Sequence, residues 1–321
     1  MNILIIPGLT LQVIPDAALA QIRDAAGEDA VVTIADHREA ITHAAQADII
    51  FGLVPKSLFV AAPGLRWVHA IASGVDMFLY PEFIESDVLL TSEKGLVGEH
   101  LADHGFGLLL MLTRQLHTAF RHGADGWNHR PEMRAQEIEL TGRTMGIIGY
   151  GGTGRAFARR ARAFGMRVIA LDRDPVGGDD AVPAVLGPDG LQTLLGESDV
   201  VSVCVPLTSE TKGLLNAQRL AQMKPGAFLV NVTRGEVMDE AALVQALESG
   251  GIAGAALDVA PREPLPADSR LWALPNVVMT PHTAGASQFR ADRNIARFIT
   301  NLARLKAGQT LEGLIDKKLG Y

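Results

Sequence analysis

The sequence predicts an α/β fold in two lobes, each a parallel sheet with helices on both faces. Three observations carry this expectation. Short apolar runs alternate with amphipathic helical patterns along almost the whole chain, as βαβ units require. The runs are continuously apolar rather than alternating, as strands buried on both faces must be. At 321 residues the chain has the length of about two domains.

In the first hundred residues "NILII" (2–6), "AVVTI" (30–34), "ADIIFGL" (47–53) and "RWVHAIA" (66–72) read as strands, with helical patterns between the first three. A long helix follows, from about Gly98 to Arg121, and then a polar stretch from Ala124 to Glu137. The alternation resumes with "TMGIIGYG" (144–151), "MRVIALD" (166–172), "DVVSVCV" (199–205), "AFLVNV" (227–232), "AGAALDV" (253–259) and "NVVMT" (276–280). The predicted first lobe is 1–98 and the second is 99–287. A last helix, about Asp292 to Leu305, and the closing "LEGLIDKKLGY" return to the first lobe as 288–321. Two long helices then bridge the lobes and leave a cleft between them, where an active site is expected.

Composition narrows the function classes. Hydrophobic residues are 48 % and charged residues 20 % of the chain, an ordinary soluble balance. The net charge of −7 leaves no electrostatic footprint for nucleic acid or an anionic membrane. A single cysteine, Cys204, excludes an internal disulfide and fits a reducing compartment. It ends an apolar strand and reads as core rather than nucleophile. "MNILIIPG" has no basic lead and reads as a first strand rather than a signal peptide. "FGLLLML" (106–112) is too short to span a bilayer. A cytoplasmic protein without a metal is expected.

The most specific local motif spans "MGIIGYGGTGRAFARRARAFGMRVIALDRDP" (145–175). Gly149, Gly151 and Gly154 form G-x-G-x-x-G, a weak pattern alone in a chain with 33 glycines. Here a strand precedes it, a helix follows, and the next strand ends in Asp172. This is the context of a Rossmann-like dinucleotide site: a tight turn, a close backbone approach to a pyrophosphate, and close helix–strand contact. The phosphates would meet free N–H groups and the positive end of a helix dipole. Asp172 suits a ribose 2′-OH and repels a 2′-phosphate, which favours NAD over NADP. Its neighbour Arg173 reads as a solvated loop charge, the alternative being a phosphate ligand that would admit NADP.

Ligands of open α/β sheets bind beyond the carboxyl ends of the strands. Three late strands end in charged residues: Arg234 follows "AFLVNV", Glu263 follows "AGAALDV", and His282 follows "NVVMT". Singly, each has a structural reading as a strand-end cap, a solvated acid or a satisfied loop histidine. Together they make a chemical set. The guanidinium binds and polarises a keto acid, the imidazole exchanges the proton, and the carboxylate orients the imidazole and favours its charged form. Pro281 before His282, and Thr283, Ala284 and Gly285 after it, give a rigid approach and room for a ligand.

"NVTRGEVMDEAAL", "GAALDVAPREPLP", "NVVMTPHTAG" and "SVCVPLTSETKGLLN" resemble motifs of the D-isomer-specific 2-hydroxyacid dehydrogenases. The likeness runs over nearly the whole chain. It implies that Arg234 binds the substrate carboxylate and keto oxygen, that His282 is the acid/base, and that Glu263 is hydrogen-bonded to it. It further implies that Gly152 and Thr153 meet the pyrophosphate, that Val205, Pro206, Thr211 and Val232 line the cofactor, and that Asp258 and Gly285 stand on its nicotinamide side. "IASGVDMF" resembles the loop whose backbone grips the carboxylate, through Ser73 and Gly74. Asp103 and Arg262 depart from the family, which usually has Glu and often an acid at those positions. No regulatory domain is expected after the last helix.

The resemblance implies a homodimer through the nucleotide domain, and the "GLLLML" stripe looks more apolar than a solvent-facing helix needs. Trp67 and Trp272 read as packing residues, while Trp127 and Phe78 are weak candidates for the substrate pocket. The resulting expectation is hydride transfer between NAD(H) and a small 2-keto or D-2-hydroxy acid such as glyoxylate or hydroxypyruvate. The alternatives are another acid such as 3-phosphoglycerate, an NAD(H)-sensing interaction protein with little turnover, and a methyltransferase with a similar glycine loop, against which the Arg–Glu–His set speaks.

Overall fold

The computed structural model describes residues 1–321. The chain forms two compact units, one of Met1–Val97 with Ala286–Tyr321 and the other of Gly98–Gly285. Each is built on its own parallel sheet.

In the first unit the strands are β1 (Asn2–Ile5), β2 (Val31–Ile34), β3 (Ile49–Phe51), β4 (Trp67–His69) and β5 (Leu89–Thr91). They are all parallel in the order β2-β1-β3-β4-β5. The three inner strands are buried almost throughout, because helices cover both faces. One covering element is the helix Arg290–Lys306. Its buried side chains include Ile295, Phe298 and Leu302, spaced as one helical stripe. Phe298 stacks on Phe51 at 4.4 Å and on Trp67 at 5.0 Å between ring centroids. This packing, rather than local propensity, is what returns the end of the chain to the first sheet. Strand β5 is absent from the expectation drawn from sequence. It lies at the sheet edge with Leu89 exposed, so it lacks the fully buried run that marks the inner strands.

In the second unit the strands are β6 (Thr144–Ile148), β7 (Arg167–Leu171), β8 (Val200–Val203), β9 (Phe228–Asn231), β10 (Gly254–Leu257) and β11 (Val277–Met279). They are parallel in the order β11-β10-β9-β8-β6-β7. A single parallel bridge, Leu171 to Leu186, adds a rudimentary strand beyond β7. Counting it, the order becomes that of a dinucleotide-binding sheet, which reverses between β6 and β8. The glycine loop leaves β6 at this reversal.

The long helix expected over 98–121 is broken. It runs Gly98–Thr113, Gln115 takes a left-handed conformation at φ 52°, and a separate helix spans Leu116–His122. The freed carbonyls find other donors: Ile138 N–H bonds Thr113 O at 2.7 Å, and His117 Nδ1 lies 2.8 Å from Met111 O. The leucine stripe is also accounted for within the chain. Leu108, Leu109 and Leu112 are buried in a core with Phe157, Val230 and Ala256, so these side chains serve the sheet, while Leu110 and Met111 are half-buried. Trp67 is buried as expected, but Trp272 is 49 % exposed, with Nε1–H donating to Pro266 O at 3.0 Å. Phe78 lies fully inside the first unit's core, which removes it as a pocket residue, and Trp127 is exposed. No helix is long and apolar enough to cross a membrane.

Candidate functional site

Backbone geometry builds the nucleotide end of the second unit. Gly149 sits at φ 96°, and a Cβ there would press on the Cys204 carbonyl group at 2.8 Å. A Cβ on Gly154 would lie 2.1 Å from Gly149 O. Only glycine lets the helix Gly152–Ala163 start this close to the strand. Gly151 and Gly152 are exposed, and a Cβ on Gly151 would meet nothing within 4 Å. The loop is thus open on the side where the helix presents its free N–H groups. This fits a pyrophosphate.

Asp172, at the end of β7, closes the same turn. Its Oδ2 accepts from Tyr150 N–H at 2.6 Å and its Oδ1 from Asp174 N–H at 3.1 Å. The Arg173 guanidinium points to acids, to Glu210 at 2.9 Å and Asp174 at 3.5 Å. The excursion after β7 is tied back to the loop by Asp179. This carboxylate accepts from Tyr150 Oη at 2.7 Å and Arg155 at 2.8 Å. Its pKa falls to about 2: desolvation opposes ionisation, but those bonds and two backbone N–H donors outweigh it. Val205 packs beside Gly149, and Thr211 Oγ1 donates to Pro206 O at 2.6 Å, shaping the turn after β8. Burial pushes the Cys204 thiol up to about 12, so it is no thiolate nucleophile. Val232 is 2 % exposed, its side chain in the core beside Ala256 and Ala284.

The turns after β9, β10 and β11 carry the three charged residues. Buried Asn231 pins the first, accepting from Thr233 N–H at 3.0 Å and donating to Arg234 O at 2.9 Å. The Arg234 guanidinium donates to Thr233 O at 2.9 Å. A Cβ on Gly235 would fall 1.9 Å from the carbonyl carbon of Ala260, so the first and second turns touch through backbone. Glu263 is held by Ala260 N–H on Oε1 at 3.0 Å, and its Oε2 lies 2.7 Å from His282 Nδ1. A carboxylate accepts only, so Nδ1 carries a proton and Nε2 is left for exchange.

His282 itself has φ 52°, an uncommon conformation for a residue with a Cβ. Asp258 holds it there. Its carboxylate, 1 % exposed, accepts from Thr280 Oγ1 at 2.6 Å, Thr283 N–H at 2.9 Å and Ala284 N–H at 2.8 Å. Its backbone carbonyl accepts from His282 N–H at 2.8 Å. Gly285 closes the second unit one residue further on. Ser73 and Gly74 belong to the first unit, just beyond β4. Their loop is propped by Glu93 N–H on Ala72 O at 3.2 Å, and Glu93 is itself buried against Arg290 at 2.9 Å. The link from His104 on the helix Gly98–Thr113 to Thr280, at 2.8 Å, has no local signal in the sequence: a lone histidine on an amphipathic helix reads as surface.

Residues 106–284 match the family description "D-isomer specific 2-hydroxyacid dehydrogenase, NAD binding domain". Glyoxylate reductase of Korarchaeum cryptofilum is 37 % identical over 277 residues, covering 83 % of this chain and 80 % of that protein. A crystal structure of a Thermus thermophilus protein superposes with a TM-score of 0.79 at 33 % identity, over 98 % of this chain and 100 % of the other. The NADPH-dependent glyoxylate/hydroxypyruvate reductase of Sinorhizobium meliloti, solved with NADP and sulfate, gives 0.81 at 28 % identity over 100 % of both chains. With its nucleotide sheet, its glycine loop and its Arg–Glu–His strand ends, the chain belongs to the D-isomer-specific 2-hydroxyacid dehydrogenases, NAD(P)-dependent oxidoreductases.

Proposed function

We propose that this chain reduces a small 2-keto acid, of the glyoxylate or hydroxypyruvate class, to the D-2-hydroxy acid with NADH. The observation that carries this reading is the His282–Glu263 pair at 2.7 Å, on a turn next to the one bearing Arg234. The glycine loop and Asp172 would hold a nicotinamide dinucleotide, which in its reduced form would supply the hydride. Arg234 pairs with the substrate carboxylate and polarises the keto group. His282, protonated on both nitrogens, gives its Nε2 proton to the oxygen as it becomes an alcohol. Glu263 keeps the ring oriented and offsets its positive charge before the proton leaves.

Several outcomes check the assignment. Because Asp172 ends β7 and Arg173 is engaged by Glu210, kcat/KM with NADH should exceed that with NADPH by at least about 10-fold, or about 1.4 kcal/mol. Asp172→Ser should narrow the gap, and equal values in the wild type would refute the cofactor assignment. Arg234→Lys loses the bidentate fork, so KM for the keto acid should rise and kcat fall while NADH affinity holds. Unchanged kinetics would mean that another group binds the acid.

His282→Ala should lower the rate by roughly 10²–10⁴-fold. Glu263→Gln preserves a hydrogen-bonding shape but removes the charge that favours imidazolium. Reduction needs the ring held with its Nε2 toward the substrate, so Glu263→Gln should lower kcat while KM for the keto acid and NADH affinity change less. A kcat within about 2-fold of wild type in Glu263→Gln would show that this pair does not set the proton step.

We also infer a homodimer, supported by exposed apolar residues after the broken helix: Leu116, Phe120 and Trp127, at 43 %, 80 % and 79 % exposure. Light scattering at micromolar concentration should give twice the chain mass, and a monomer mass would overturn it.

A further inference from the structure

The Asp258 carboxylate collects its donors from the turn that carries His282, with one approach from elsewhere. That approach is His104, and the direction of each proton can be read from the chemistry of the groups. Thr280 has one hydroxyl proton, and its Oγ1 lies 2.6 Å from Asp258 Oδ1, an oxygen that only accepts. The same Oγ1 lies 2.8 Å from His104 Nε2. Thr280 therefore gives its proton to Asp258 and accepts from His104, so Nε2 of His104 carries a proton. His104 Nε2 also lies 3.5 Å from Asp258 Oδ1, close enough for the imidazole to support the buried charge.

From this geometry we propose that His104 is a positioning residue for His282, acting through Thr280 and Asp258. A neutral hydroxyl polarised by an N–H donor is a stronger donor to a carboxylate than the same hydroxyl alone. Asp258 in turn anchors Thr280, Thr283 and Ala284, the residues on either side of His282. The left-handed turn at His282 is uncommon for a residue with a side chain, and it persists only where its surroundings over-determine it. His104 adds the constraint from outside the turn. It lies on a helix that also closes on the glycine loop, where a Cβ on Gly98 would stand 2.5 Å from Gly152 O. One rigid helix thereby references both the nucleotide loop and the acid/base turn. This inference rests on the reduction assigned above.

The test compares wild type, His104→Gln, His104→Leu, Thr280→Val and the His104→Leu/Thr280→Val double variant, with glyoxylate and NADH. Glutamine keeps an N–H donor near the position of Nε2, and leucine removes it. His104→Leu should lower kcat about 10- to 100-fold, the range a slight misplacement of an acid/base produces, with KM and NADH affinity near wild type. His104→Gln should restore most of the loss. Thr280→Val should lose at least as much as His104→Leu, and the double variant should fall little further than Thr280→Val, because His104 acts through the Thr280 hydroxyl. Hydrogen exchange gives a readout independent of turnover: the Thr283 and Ala284 amides should exchange faster in His104→Leu, with the glycine-loop amides unchanged. The proposal is overturned if kcat in His104→Leu stays within about 2-fold of wild type, if glutamine rescues nothing, if the two losses multiply, or if those amides keep their protection. Should His104→Leu not fold, His104→Ala decides by the same kcat and exchange criteria. A wild type that reduces no 2-keto acid sinks the assigned reaction, and the exchange result then still decides the role of His104.

Discussion

The buried carboxylate of Asp258 is the constraint on which the histidine end of this protein depends. An unpaired carboxylate away from water is costly, so it must be surrounded by donors. Here the donors come from the turn after β11, and satisfying the charge forces that turn into one shape. The left-handed conformation of His282 follows from this demand, and so does the direction of its ring toward Glu263. His282 is placed by the solvation needs of a neighbouring charge rather than by packing of its own side chain, which is nearly half exposed.

A second device repeats along the sheet of the second unit: backbone meets backbone where a glycine removes the side chain. Gly154 against Gly149 brings the helix to the strand, Gly98 against Gly152 brings a second helix to the same loop, and Gly235 against Ala260 joins the turns after β9 and β10. Contacts of this kind have no rotamers to relax through, so they set distances more firmly than side-chain packing does. They explain how turns at the edge of a sheet hold charged residues in fixed relation without a buried core around them.

The charged groups divide by environment. A surface pair such as Arg159 with Glu99 contributes little to stability, because both partners keep much of their hydration. Asp179 differs in purpose. Its bonds to Tyr150 and Arg155 clamp the excursion after β7 against the glycine loop, on the side where the Asp172 carboxylate stands. In the first unit, the buried Glu93–Arg290 pair joins the end of β5 to the final helix, so chain segments distant in sequence share one strand-end region.

The α/β class, ten of the eleven strands, the glycine loop and the Arg234, Glu263 and His282 turns are legible in the sequence, because each is a local pattern: a continuous apolar run, a glycine spacing, a charge soon after a strand. What the sequence leaves open depends on partners far along the chain. The helix break at Gln115 depends on His117 and Ile138 taking over carbonyls. The burial of Leu108, Leu109 and Leu112 depends on strands far along the chain. Strand β5 and the bridge at Leu186 lie at sheet edges, and pairing with a neighbour rather than a fully buried run makes them part of the sheets. The link from His104 to Thr280 joins residues on separate elements. Local sequence determines which elements form and which chemistry stands at their ends. Tertiary structure alone decided which donors reach Asp258, because hydrogen bonds between remote segments leave no periodic trace in the order of residues.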